Sequence, residues 1–133
     1  MKAKEILFRG KVINTKEWIY GYYSSFIPPA SGKIVHYISD YGYRTVEVFP
    51  ETVCQFIWLI DKTGRKIFEG DVLKGHEGSI YRVWREKGGF SISDIELNDP
   101  FPSYPLCDKQ IASYVEAGCE VIGNIYDNPE LIK

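Results

Sequence analysis

The stretch Gly78-Ser79-Ile80-Tyr81-Arg82-Val83-Trp84-Arg85-Glu86-Lys87-Gly88-Gly89-Phe90-Ser91-Ile92 decides the fold. Two runs rich in β-branched and aromatic residues flank Glu86-Lys87-Gly88, a polar pair followed by glycine, and this is the pattern of a β-hairpin. Successive side chains of a strand point to opposite faces, so Arg82 and Trp84 share one face and Val83 takes the other.

Toward the N-terminus the same pattern repeats. Asp71–Lys74 reads as a strand, Glu69-Gly70 as a turn and Arg65–Phe68 as the strand returning from Asp61-Lys62-Thr63-Gly64. An Asp three residues ahead of a Gly fits a type I turn in which Gly64 supplies a positive φ. The apolar run Phe56–Ile60 leads into that turn, and Pro50-Glu51-Thr52 precedes it as an irregular segment. Lys33–Ile38 and Arg44–Phe49, around Asp40-Tyr41-Gly42-Tyr43, form another hairpin with Val46 and Val48 on its buried face. Pro28–Gly32 is a loop. In Trp18–Phe26, Trp18, Tyr20 and Tyr22 face one way and Ile19 and Tyr23 the other, while Gly21 marks a bulge or a close backbone approach. Residues 6–13 make the first strand, bent at Gly10.

Toward the C-terminus, residues 98–105 carry three prolines from 100 to 105 and read as a surface loop. The one helix is predicted near residues 108–117, with Asp108 as N-cap, Ile111 and Val115 on one face and Gly118 as C-cap. Residues 120–126 form a last strand, which Asp127-Asn128-Pro129-Glu130 ends. No internal repeat is visible. The expectation is a mainly β single domain over 1–133, a pseudobarrel or two-sheet sandwich with many short turns and one short helix.

Composition agrees. The chain has 133 residues, of which 44% are hydrophobic and 26% charged, close to globular averages and far from disorder. Aromatics make up 15%, and 10 of them are Tyr, a residue suited to half-buried pleated surfaces. A formal charge of −2 gives no global support for phosphate contacts. Cys54, Cys107 and Cys119 are odd in number and lack CxxC spacing, which points to reduced thiols and a cytoplasmic protein. The run Phe56–Ile60 is far short of the roughly 20 residues of a membrane span, and the N-terminus enters a strand pattern with no signal-like core.

The chemistry-bearing residues each meet a structural explanation. Glu69 and Asp71 flank Gly70 and are the first carboxylates to consider for an acid–base or hard-metal role, yet Asp and Gly dominate tight turns for conformational reasons. Asn124, Asp127, Asn128, Pro129 and Glu130 could gather as polar ligands, and Asx turns closing a strand explain the same residues. His36 and His76 have no Cys or His at metal-ligand spacing, and no GxxxxGK[ST] or GxGxxG loop occurs. These readings call for no cofactor. Cations and aromatics interleave in Tyr81, Arg82, Trp84, Arg85 and Lys87, a candidate binding face for bases or for another protein.

Several blocks, in order and over almost the whole chain, resemble the YopX family of small phage and prophage proteins. They are Phe8-Arg9-Gly10-Lys11, Trp18-Ile19-Tyr20-Gly21, the segment from Leu59 to Val72, Val83-Trp84, and the ending from Val121 to Leu131. The resemblance draws attention to Gly64, Glu69, Gly70, Asp71, Gly123, Asn124, Tyr126, Asn128 and Pro129 as family-motif residues with turn-forming roles. It implies a mostly β body and a phage or prophage setting in a bacterial cytoplasm, without implying a mechanism. One departure stands out: Val53-Cys54-Gln55-Phe56-Ile57-Trp58-Leu59 has Cys54 and Trp58 where the family resembles Val-Gly-Gln-aromatic-Thr-Gly-Leu.

With no catalytic constellation and many aromatics, the sequence favours a non-enzymatic accessory protein that binds a host or phage protein. The alternative is a small nucleic-acid-binding β protein using the basic and aromatic face around Arg82, Trp84, Arg85 and Lys87. An enzyme using Glu69 and Asp71 ranks below both. A homo-oligomer that covers sheet edges is compatible with each.

Overall fold

The computed structural model describes residues 7–42, 44–86, 88–95 and 103–132. It is mainly β, with two antiparallel sheets and one α-helix, and divides into two compact units, Met1–Phe56 and Ile57–Lys133.

The first unit contains β1 (Phe8–Lys11), β2 (Trp18–Phe26), β3 (Val35–Ser39), β4 (Thr45–Glu47) and the start of β5 (Cys54–Ile60). The order is β4-β3-β2-β1, with β5 on the far side of β1. Arg9 pairs with Tyr20 and Lys11 with Trp18, and β2 then continues onto β3 from Tyr22↔Ser39 to Phe26↔Val35. Gly21 sits at this hand-over. A Cβ there would lie 2.0 Å from the Ser39 carbonyl oxygen, so the close backbone approach expected of this glycine is real. Val12, Ile19, Ile38 and Val48 form the buried cluster, supported by Phe8, Tyr23 and Val46. Thr52, in a 3-10 turn over Pro50–Thr52, ties this layer down: its hydroxyl donates to the Phe49 carbonyl at 2.7 Å and accepts the Lys11 N–H at 2.9 Å.

The second unit contains the rest of β5, β6 (Lys66–Phe68), β7 (Asp71–Lys74), β8 (Ile80–Glu86), β9 (Gly89–Asp94), β10 (Ser103–Pro105), α1 (Lys109–Gly118) and β11 (Glu120–Asn124). β6 neighbours β5, and the five-stranded sheet runs β10-β9-β8-β7-β11. The hairpin read first in the sequence is the β8–β9 pair, with Val83 opposite Ile92. Leu73, Val83 and Ile92 of the sheet meet Val115 and Cys119 at the end of α1, and all five are essentially inaccessible to solvent.

Three expectations need correction. Among the described residues both strand orders are open-ended, so of the two architectures proposed it is two sheets that form, and no barrel closes. Ser103–Pro105, read as loop, is an edge strand on β9; an edge position tolerates proline because its missing N–H faces no partner. Gly118 is the last helical residue and not a left-handed cap, which instead falls to Cys119 in extended conformation. Space explains the glycine: a Cβ there would lie 3.0 Å from His76 Nδ1. The predicted loop residues 98–102 lie outside the described residues.

Candidate functional site

The family-motif residues direct their side chains at backbone. Asp61 opens the turn after β5: its Oδ1 accepts the N–H of Thr63 (2.8 Å), the hydroxyl of Thr63 (2.7 Å) and the N–H of Arg65 (2.9 Å), while Oδ2 accepts the N–H of Val121 on β11 (2.9 Å). Burial raises the pKa of this carboxyl; the Val121 N–H and the Thr63 and Arg65 donors outweigh that and hold it below the usual carboxylate value. Gly64 and Gly70 both take the left-handed conformation, at φ 90° and 88°. Asp71 is buried and accepts the Phe68 N–H at 2.8 Å, whereas Glu69 meets the Arg85 guanidinium at 3.4 Å. The two carboxylates thus turn to different partners.

The C-terminal motif is built likewise. Asn124 Oδ1 accepts the N–H groups of Tyr126 (3.0 Å) and Asp127 (2.9 Å), and its amide nitrogen donates to Asp127 Oδ2 at 3.1 Å. Asn128 accepts the Asn124 N–H at 3.3 Å, ahead of the 3-10 turn that Pro129 opens. Gly123 makes this possible, since a Cβ there would lie 2.5 Å from Asn128 Oδ1.

The cation–aromatic segment splits across β8. Arg82 and Trp84 share the face of Ser93 and Ser91, and the Trp84 indole donates to Ser93 Oγ at 2.8 Å. Tyr81 and Arg85 stand on the opposite face with Val83; the Arg85 guanidinium lies 5.3 Å over the Phe90 ring. Lys87 lies outside the described residues. These side chains therefore do not form one surface.

Two constellations escaped the sequence reading. The first gathers around Glu77 in the β7–β8 turn. Glu77 Oε1 accepts the hydroxyl of Tyr114 on α1 in a very short bond and that of Tyr81 at 3.1 Å, and Oε2 lies 3.2 Å from His76 Nδ1. The Tyr114 hydroxyl, with its further donors, pulls the Glu77 carboxyl down to about 2. Burial and the bond to Glu77 push the Tyr114 phenol far up, and burial raises the Cys119 thiol to about 11. A carboxylate so supplied with donors, beside phenols and a thiol held protonated, lacks both a base and a nucleophile near neutral pH.

The second constellation is the outer side of the first unit's sheet. Pairing registers place Arg9, Lys11, Trp18, Tyr20, Tyr22, Phe26 and Tyr37 on one face, opposite the buried cluster. Tyr20 is 42% exposed, Tyr22 56% and Phe26 51%. Phe26 and Tyr37 stack at 5.3 Å, Tyr22 meets Tyr41 edge-on at 5.6 Å, and the Arg9 guanidinium lies 4.6 Å over the Trp18 ring. Alternation in Trp18–Tyr22 was the available signal; both faces of the strand are aromatic, so it could not tell which one meets solvent.

His36 Nδ1 is 2.5 Å from the Tyr23 hydroxyl, and Cys54 and Cys119 are buried free thiols while Cys107 is exposed. Among the described residues no group of three or more His, Cys, Asp or Glu is placed to hold a metal ion, and no helix is long and apolar enough to cross a membrane.

No curated protein matches the chain. Among solved structures, protein EF1440 from Enterococcus faecalis is similar with a TM-score of 0.58 over 98% of this chain and 100% of that one, at 24% identity, which is a likeness of fold. A family model described as YopX protein matches residues 7–133.

Proposed function

We propose that this chain, which belongs to the YopX protein family, works without catalysis by binding another protein through the outer sheet face of its first unit. The observation that carries this is the exposed row Tyr20, Tyr22 and Phe26 on one strand face. Tyr and Phe are enriched and charges depleted at the centres of protein interfaces, because rigid rings give large contact area at small entropic cost. Of the strand residues on this face only Arg9, Lys11 and Glu47 are charged, and Arg9 is buried. A nucleic-acid strand needs a track of cations along its phosphates, so the face suits a protein better. The family resemblance supplies the setting, a host or phage protein in a bacterial cytoplasm.

The test places a photo-crosslinking amino acid at Tyr22, or at the exposed Lys62 of the second unit as control. The expected result is a discrete protein adduct from Tyr22 alone, lost when Tyr20 and Phe26 are both replaced by Ser. Equal adducts from both positions, or none from Tyr22 in any host tested, overturn the reading. Salt-sensitive binding of a labelled single-stranded oligonucleotide that needs Tyr22 reassigns the face to nucleic acid. Concentration-dependent light scattering abolished by the same substitutions reassigns it to a second copy.

A further inference from the structure

The mouth of the β8–β9 hairpin holds a cavity of about 390 Å³, lined by Glu86, Phe90, Ser91, Pro105 and Cys107 with the hairpin glycines Gly88 and Gly89. This is within the size range of small-ligand sites. Its polar groups are one-sided. Ser91 Oγ and Ser103 Oγ both donate to Glu86 Oε2, each at 3.0 Å. A carboxylate only accepts, so both hydroxyls direct their hydrogens at it and keep lone pairs for other partners. Ser91 and Glu86 thus offer the cavity acceptors and no side-chain donor, a set that fits a ligand rich in donors.

From this arrangement we propose that the cavity binds an alkylammonium group, the chemistry of a lysine side chain or a small primary amine. Glu86 Oε2 already takes two hydroxyls, which leaves Oε1 as the one strong acceptor. A compact point charge with rotatable donors suits a single oxygen better than a guanidinium, whose fork wants two. The Phe90 and Pro105 rings supply apolar walls for the alkyl stem, and the glycines leave the entrance free of side chains. The neighbouring cation, Arg85, is paired with Glu69 at 3.4 Å. The site lies wholly in the second unit and stands or falls independently of the aromatic face.

An NMR titration of the full chain with n-butylammonium, followed at the amides of Gly88, Gly89, Phe90 and Ser91, tests this, with butan-1-ol as the neutral control of similar shape. Saturable shifts are expected from the amine and not from the alcohol, with affinity reduced about tenfold or more in Glu86→Gln, since a hydrogen bond to a charged group is removed. A parallel titration with Nα-acetyl-lysine methylamide separates the sources. Binding at the same amides points to a lysine presented by a protein, whereas its exclusion with butylammonium retained points to a free amine. Absent or non-saturable shifts with butylammonium, equal shifts with butan-1-ol, or affinity unchanged by Glu86→Gln overturn the proposal. The alcohol comparison needs no variant, so it holds even if Glu86→Gln does not fold.

Discussion

The two units use tyrosine in opposite ways. In Ile57–Lys133, Tyr81 and Tyr114 turn their hydroxyls onto Glu77 and their rings onto the core formed with α1. In Met1–Phe56, Tyr20 and Tyr22 stand outward on a strand with their rings in solvent. Charge divides in the same way: seven Lys and Arg against five Asp and Glu in residues 1–56, and nine against thirteen in residues 57–133. The acidic unit uses many of its carboxylates to order turns and to clamp the helix. The aromatic unit keeps its sheet in shape by backbone pairing and a small apolar cluster, which leaves its outer rings uncommitted to the fold.

That contrast is most open to attack at Gly21. If the aromatic face is only as good as the β2–β3 contact behind it, Gly21→Ala forces a methyl into the Ser39 carbonyl and costs about 3 kcal/mol, the upper range for overpacking. Urea denaturation measures the loss, and hydrogen exchange is expected to rise first at amides of residues 7–56. A cost below about 1 kcal/mol means the strands part easily and the face is not rigid.

The second unit is probed next at Asp61. Asp61→Asn sets an amide against the Val121 N–H or the turn donors, and loss of a charge-assisted bond in a buried turn costs about 2 kcal/mol. The same carboxylates predict an acid limb. Asp61 and Glu77 both have folded pKa values below their unfolded ones, so their stabilisation is complete above the unfolded values and disappears as pH falls. For Glu77 the loss runs from about 4.5 down to about 2. Urea midpoints measured from pH 7 to pH 2 are expected to fall in that window, less steeply in Tyr114→Phe, which removes the main cause of the Glu77 shift. A slope unchanged by Tyr114→Phe means that the Glu77 clamp contributes nothing.

What the sequence made legible follows the range of the interactions. The β8–β9 hairpin, the Asp61–Gly64 turn and the Asp108-capped helix are local: alternation, a turn residue and a cap each act within a few positions, and the Asp108 carboxylate does accept the N–H groups of Gln110 and Ile111. The Glu77 clamp is not local, because Tyr114 lies 37 residues from Glu77 and no spacing rule joins them. β10 was hidden by its prolines, which argue against a strand until its edge position is known. Gly118 shows a different limit, since a glycine kept for space and one kept for positive φ look the same in a sequence. The candidate faces divide likewise. Alternation placed Arg82 with Trp84 and Trp18 with Tyr20, but solvent exposure depends on what packs behind each sheet.

Trp58 sharpens the comparison at smaller cost. It lies within β5 at φ 64°, a conformation that disfavours a side chain, at one of the two positions where the family resemblance leads one to expect a small residue. The backbone has kept the glycine-like geometry and the half-buried indole is carried at the expense of strain. Trp58→Ala loses the ring and keeps the strain, whereas Trp58→Gly loses the ring and releases it. Trp58→Gly is therefore expected to be more stable than Trp58→Ala by about 1 kcal/mol, the reverse of their order in an ordinary strand. Equal stabilities would place the constraint elsewhere in β5.

The smallest expected effect matters most to function. Tyr22→Ser removes a ring that is 56% exposed and touches Tyr41 edge-on. Surface substitutions away from caps, turns and buried bonds change stability by less than about 0.5 kcal/mol. Tyr81→Phe, by contrast, removes a donor from Glu77 and is expected to cost more than Tyr22→Ser under identical denaturation, although it deletes one atom where the other deletes a ring. Side-chain size alone predicts the opposite order, so the pair separates a ring held for the fold from a ring held for a partner. If Tyr22→Ser proves the more damaging, the outer rings belong to the structural account of the first unit, and the binding role proposed for them loses its ground.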